Sequence, residues 1–165
     1  MVGDKVSVDM GVVHLEWQEI PLSREEDTLS LPISKGEMKN PVAVNVGNPH
    51  AVFFVENVEK VDLEAVGPEI EHHPLFPERI NVEVAEVLSP SKIRMRVWER
   101  GVGITQACGT GACAAAVAGV RRGITERKVT VVLDGGTLDI EWCESDGHVL
   151  MTGDATEVYR GEVEV

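Results

Sequence analysis

The chain has 165 residues, of which 43% are hydrophobic, so it is long enough and apolar enough to bury the core of one domain. Its formal net charge of −13 opposes binding to phosphate backbones and anionic lipids, and no run of Lys and Arg offsets that charge. The sequence shows no signal peptide and no apolar stretch approaching about 18 residues. Three cysteines are an odd number for a disulfide framework. We therefore expect a cytoplasmic protein with neither nucleic-acid nor membrane partners.

The first half of the chain alternates apolar and polar residues with the period of two that is typical of half-buried strands. This pattern predicts strands over residues 6–10 and 12–17. Two further strands are predicted over residues 42–46 and 51–55, the second of them more fully buried. Asp62 then predicts the start of an amphipathic helix from about Leu63 to His72. Pro68 lies inside that helix and is expected to break or kink it.

The second half continues the strand pattern and contains one further helix. Strands are predicted over residues 92–97, 129–132 and 138–142. Asp134-Gly135-Gly136 and Asp146-Gly147 are hairpin signals, so the last strands should form an antiparallel meander. An alanine-rich helix is predicted from about Thr110 to Arg122, with Gly123 as its stop. We expect an α+β fold in which a mixed, mostly antiparallel sheet curls into a barrel around this central helix.

Cys108 lies where a glycine-rich turn becomes the alanine-rich helix. The unpaired N–H groups and the dipole of a helix N-terminus stabilise an anion and lower the pKa of a thiol, which favours a reactive thiolate. Gly109 and Gly111 would let backbone N–H groups approach a carboxylate. The alternative is a structural cysteine packed beside small residues, which is also what we expect of Cys113 and Cys143. The spacing of the three cysteines does not match a metal site.

Several polar residues lie at predicted strand ends and would meet over the helix N-terminus if the sheet curls around it. They could supply a general base, amide donors and a guanidinium that binds a carboxylate through two hydrogen bonds. Taken singly, each also has an ordinary reading as a turn former, a surface group or half of a salt bridge. The residues concerned are Asn48, His50, Asn81, Glu99 and Arg100.

Five segments together resemble the diaminopimelate epimerase family. They are residues 46–52, 76–83, 98–103, 107–114 and 153–159. The resemblance covers nearly the whole chain but only the C-terminal half of that enzyme. The family's N-terminal half, which carries a second catalytic cysteine in a Cys-Gly-Asn-Gly turn, has no counterpart here. The resemblance therefore implies that residues 1–165 form a single lobe equivalent to the C-terminal domain, which pairs with an N-terminal lobe or self-associates.

The family interconverts LL- and meso-diaminopimelate, on the route to lysine and peptidoglycan precursors, without pyridoxal phosphate, metal or other cofactor. Two cysteines on opposite faces of the α-carbon exchange its proton. The resemblance implies that Cys108 is one of them and that His50 and Glu99 tune the thiol pair. It assigns substrate binding to Asn48, Asn81, Arg100, Gly109 and Thr110. The lone chain would carry one of the two catalytic cysteines, and its chemistry would be absent or incomplete.

Two positions depart from the family pattern. Ile80 and Ile104 each replace a polar residue beside the expected site, so hydrogen bonds there would be lost. Two other functions remain open. One is a non-catalytic module for amino-acid binding or assembly, and the other is a hydrolase or acyltransferase in which Cys108 is the nucleophile and His50 its base.

Overall fold

The computed structural model describes residues 5–156 and 161–162, so residues 157–159 of the last family-like segment lie outside the described residues. The strands are β1 (Lys5–Val12), β2 (Ser34–Lys35), β3 (Met38–Lys39), β4 (Val42–Asn45), β5 (Pro49–Phe54), β6 (Asn81–Ser89), β7 (Lys92–Glu99), β8 (Gly103–Thr105), β9 (Lys128–Leu133), β10 (Gly136–Trp142) and β11 (His148–Asp154). The helices are α1 (Leu63–Glu71) and α2 (Gly109–Arg121), with a 3₁₀ turn at Val58–Lys60.

One nine-stranded mixed sheet forms the body of the lobe. Its strands run in the order β1-β11-β10-β9-β7-β6-β5-β4, and β8 pairs with β7 beside this path. The pairs β5–β6 and β7–β9 are parallel, whereas the other pairs are antiparallel. Beyond β1, the chain forms a bridge from His14 to Asn45, at the end of β4. The two ends of the sheet therefore approach each other, and the prediction of a curled, mostly antiparallel mixed sheet is confirmed.

Helix α2 lies against the inner face of this sheet. It contacts β4, β5, β6, β7, β9, β10 and β11. Nine consecutive residues, 111–119, are buried, and most are alanine or glycine, so neighbouring strands approach the helix backbone closely. The helix ends as predicted, because Gly123 adopts the left-handed region at φ 67° and donates to Val120 O while Ile124 N bonds Gly119 O.

A second apolar cluster covers the opposite face of β5 and β6. Helix α1 contributes Leu63 and Ile70 to it, and strand β6 contributes Val82 and Val84. Ile80 is fully buried in the same cluster, which gives this departure from the family pattern a packing role.

Two details of the predicted elements are wrong. Residues 12–17 do not form a strand of their own, because β1 ends at Val12 and the chain then closes turns through bonds such as Ile20 N to Glu16 O. Pro68 does not break α1, which runs from Leu63 to Glu71. A proline removes one backbone donor, and burial of the Leu63 and Ile70 side chains offsets that loss here.

Candidate active site

Cys108 is the N-cap of α2, and its sulfur faces the first turn of the helix. Sγ accepts a hydrogen bond from Gly111 N at 3.3 Å and lies 3.5 Å from Thr110 Oγ1. The residue is only 7% exposed. Burial raises the pKa of the thiol, and the negative charges of Glu83 and Glu99 add to that effect, while Thr110 and Gly111 oppose it. The predicted lowering of this pKa is therefore wrong for the lobe, because desolvation outweighs the helix donors.

His50 occupies the centre of a buried chain of polar groups. Its Nδ1 lies 2.6 Å from Glu83 Oε1, and its Nε2 lies 2.8 Å from Asn48 Oδ1. The side chains of His50 and Glu83 are both 0% exposed, whereas Asn48 is partly exposed in the turn before β5. His50 lies on β5 and Glu83 on the neighbouring strand β6. Glu83 pairs with Val52 in the parallel ladder, two residues along β5 from His50. Both ring nitrogens of His50 are thus engaged by Glu83 and Asn48, which leaves the Cys108–His50 nucleophile arrangement without support among the described contacts.

Asn81 joins two strand ends instead of pointing a free amide at a ligand. In the parallel ladder it lies opposite His50. Its Nδ2 donates to Pro49 O at 2.9 Å, and its Oδ1 accepts from Arg100 N at 2.9 Å. These bonds fix the start of β5, the start of β6 and the turn after β7 relative to one another. In this structure Asn81 therefore positions the neighbouring backbone.

Glu99 and Arg100 adjoin each other at the end of β7, but their side chains have different surroundings. Glu99 is partly buried, accepts a hydrogen bond from the Thr105 hydroxyl and raises the pKa of Cys108 through its charge. The Arg100 guanidinium is exposed and donates to Glu78 O at 3.1 Å. The charge of Glu99 therefore acts on the Cys108 sulfur, whereas the Arg100 guanidinium lies at the surface and is hydrogen-bonded to Glu78 O.

A buried carboxylate from α1 holds the turn that follows these two residues. Glu71 accepts from Trp98 Nε1 at 2.7 Å and from Gly101 N at 2.9 Å. Helix α1 thus fixes the β7–β8 connection, which carries Glu99. The exposed face of that hairpin includes Ile104, which is 40% exposed.

Glu83 is the functional candidate that the sequence interpretation omitted. The alternation of Asn81, Val82, Glu83 and Val84 places the two polar residues on one face of β6. With His50 on the neighbouring strand, that alternation was the signal that could have found it. A methyl group built at Gly111 would lie 2.9 Å from Glu83 Oε1, so this carboxylate also borders the first turn of α2.

The other two cysteines differ from each other. Cys113 is fully buried in the core, and desolvation raises its pKa to about 12, so it is an inert thiol. Cys143 is partly exposed, so the prediction that it is a core residue is wrong. All three cysteines are free thiols.

Within residues 5–156 and 161–162, no three His, Cys, Asp or Glu side chains gather as a metal ion would require. Neither helix in that part of the chain has the length and apolar character needed to cross a membrane.

The fold of this lobe is also found in a solved structure. A solved structure described as a predicted epimerase from Pseudomonas aeruginosa superimposes with a TM-score of 0.61, at 19% identity, over 98% of this chain and 59% of that one. The architecture shared with that structure is a curled mixed sheet with few helices.

Sequence comparison then identifies the family. A model described as diaminopimelate epimerase matches residues 42–158. The diaminopimelate epimerase of Erythrobacter litoralis is 58% identical over 93% of this chain and 57% of its own length, and that of Rhodospirillum centenum is 56% identical over 96% and 54%. The chain belongs to the diaminopimelate epimerase family and spans little more than half the length of these relatives.

Proposed function

We propose that this chain is the C-terminal lobe of a cofactor-independent epimerase that interconverts LL- and meso-diaminopimelate in the cytoplasm, for lysine and peptidoglycan precursor synthesis. The observation that carries the proposal is that Cys108 is the N-cap of α2 and that its sulfur accepts a hydrogen bond from Gly111 N. Membership of the family supports the substrate, since the named relatives are diaminopimelate epimerases.

Cys108 acts as the acid of the pair when the other sulfur acts as the base. The raised pKa of the buried thiol keeps it protonated at neutral pH. A thiolate from the other lobe takes the α-proton, so the C–H bond breaks and an S–H bond forms. The Cys108 S–H then gives its proton to the opposite face of the carbanion and becomes the thiolate. Proton and charge are conserved, the configuration inverts, and the reverse reaction exchanges the two roles.

The first turn of α2 supports the substrate-binding part of the proposal. Gly109 and Thr110 begin the helix and are partly exposed, which supports a role for their N–H groups in binding a carboxylate and stabilising the charge that develops at the α-carbon. The charge of Glu99 acts on the thiol, and in this proposal His50 tunes the thiol pair through its contact with Glu83, whose charge also acts on the thiol. Asn48 lies on the partly exposed side of His50. Asn81 contributes through the strand ends that it joins. Arg100 donates to Glu78 O through Nη1, and the remaining N–H groups of its guanidinium are the donors for the substrate carboxylate in this proposal.

The partner in this proposal is a lobe that supplies the second cysteine. Strand β1 is an edge of the sheet, and Val6, Val8 and Val12 on it are 43 to 50% exposed. Apolar edge strands favour association, so the isolated chain should pair with another copy until the second lobe covers this edge. Light scattering coupled to size-exclusion chromatography tests this point, and a monomer at all concentrations contradicts it.

The catalytic proposal is tested by following solvent deuterium into the α-carbon of diaminopimelate. The lone chain should give no turnover, and the chain mixed with the N-terminal half of the Erythrobacter litoralis relative should exchange and epimerise. Cys108→Ser should abolish the activity of the mixture, whereas the matched control Cys143→Ser should retain it. Full turnover by the lone chain refutes the two-lobe requirement, and an active Cys108→Ser mixture refutes the role of Cys108.

A further inference from the structure

The carboxylate of Glu83 is fully buried, yet only half of it is satisfied. Oε1 lies 2.6 Å from His50 Nδ1, while Oε2 has no hydrogen-bond partner in the described part of the chain. A buried carboxylate oxygen without a partner loses its hydrogen bonds to water and gains none from the protein, which destabilises the folded state. An apolar side chain would pack between β6 and α2 without that cost, so packing alone does not account for a glutamate here.

The hydrogen-bond distances determine how the His50 ring is oriented. A separation of 2.6 Å requires a hydrogen between Nδ1 and Oε1, because two bare acceptors repel each other. Nε2 faces the side-chain amide of Asn48 at 2.8 Å, so each ring nitrogen has its own polar partner. Rotating the ring by half a turn would place carbon atoms against Glu83 and break both bonds. The carboxylate thus fixes the ring with Nε2 towards the partly exposed turn at Asn48.

The same carboxylate also borders the helix start that Cys108 caps. A methyl group at Gly111 would lie 2.9 Å from Glu83 Oε1 and 3.3 Å from Cys108 Sγ, so both groups pack against the same α-carbon. The charge of Glu83 raises the pKa of Cys108, consistent with this closeness. One buried carboxylate therefore contacts His50 and also borders the helix turn that Cys108 caps.

We propose that Glu83 is the positioning residue of this site: it fixes the His50 ring with Nε2 towards Asn48 and packs against the helix turn that Cys108 caps. The inference rests on the proposed function for its meaning in catalysis. Its structural content does not, because ring orientation and thiol ionisation are properties of the chain without substrate.

The test compares wild-type protein with Glu83→Gln and with Glu56→Gln, a control that removes an exposed carboxylate. Nitrogen-15 NMR of the histidine rings reports which nitrogen of His50 carries hydrogen. Mass spectrometry of the Cys108 peptide reports its alkylation rate as a function of pH. In Glu83→Gln we expect an altered His50 pattern and a Cys108 profile displaced to lower pH, with alkylation below the midpoint at least about threefold faster. Glu56→Gln should match wild type in both.

Glu83→Asp distinguishes the effect of the carboxylate charge from the effect of side-chain length. It also provides the test if Glu83→Gln does not fold. Aspartate keeps the charge but is one methylene shorter, so the His50 pattern should change while the Cys108 profile stays near that of wild type. A wild-type His50 pattern in either folded variant, or an unchanged Cys108 profile in Glu83→Gln, overturns the proposal. An inactive two-lobe mixture leaves these readouts unaffected, so failure of the proposed function and failure of this inference are distinguishable.

Discussion

A methyl group added at Gly111 tests how tightly the start of α2 is held against its surroundings. Replacing glycine by alanine within a helix stabilises it by up to about 1 kcal/mol, so helix propensity predicts a more stable protein. The structure predicts the opposite, because the new methyl group would lie 2.9 Å from Glu83 Oε1 and 3.3 Å from Cys108 Sγ. Overpacking of a buried site costs about 1–3 kcal/mol. Displacement of Glu83 would also weaken its contact with His50.

We therefore expect Gly111→Ala to lower the free energy of unfolding by about 1–2 kcal/mol, measured by urea denaturation followed by circular dichroism. Gly109→Ala is the matched control, because a methyl group there meets the flexible side chain of Met151 at 3.0 Å. Its free energy of unfolding should stay within about 0.5 kcal/mol of wild type. A Gly111→Ala protein as stable as wild type would show that Glu83 is free to move, and the close packing inferred for this turn would be refuted.

Three further predictions concern the surroundings of the site and the edge of the sheet. Alkylation of Cys108 should reach its half-maximal rate at a higher pH than that of free cysteine, because burial and then Glu83 raise its pKa, and a lower midpoint contradicts this. Trp98→Phe removes the indole donor from the buried carboxylate of α1 and should cost about 1–3 kcal/mol in urea denaturation, so an unchanged midpoint contradicts the role of that bond. Asp9 has a lowered pKa because of the Gly11 N–H and His148, and His148 has a raised pKa because of Asp9. The contribution of His148 is complete below pH 6.5 and is lost as pH rises through its raised pKa, whereas that of Asp9 is complete above pH 3.8 and is lost as pH falls. The protection of the β1 amides from hydrogen exchange, relative to the unfolded chain at the same pH, should therefore be greatest between these two values, and Asp9→Asn should flatten that maximum.

The strands and the alanine-rich helix could be predicted because their signals are local. Alternation of apolar residues identified the strands that pack on α2, and Gly123 identified the end of that helix. The failure at residues 12–17 has a local cause too, because alternation continues past Val12 although the backbone turns and forms a bridge only at His14. A period of two does not distinguish a strand from a turn that happens to alternate.

The site was harder to predict, because its properties depend on packing between distant segments. The sequence placed Cys108 at a helix start, but its pKa depends on how completely other elements cover the sulfur and on the charges of Glu83 and Glu99. The alternation around Glu83 indicates that it shares a face of β6 with Asn81, but by itself does not show whether that face is buried. Only the parallel pairing of β5 and β6 shows that it faces His50 and is buried.

That parallel pairing has a consequence for how the site arises during folding. His50 lies opposite Asn81 and Val52 opposite Glu83, and a slip of one residue between the two strands would turn one set of side chains to the other face of the sheet. The buried contact between His50 and Glu83 is thus all-or-none. It forms only in the native register of β5 and β6, and a slipped register would not contain a weakened version of it.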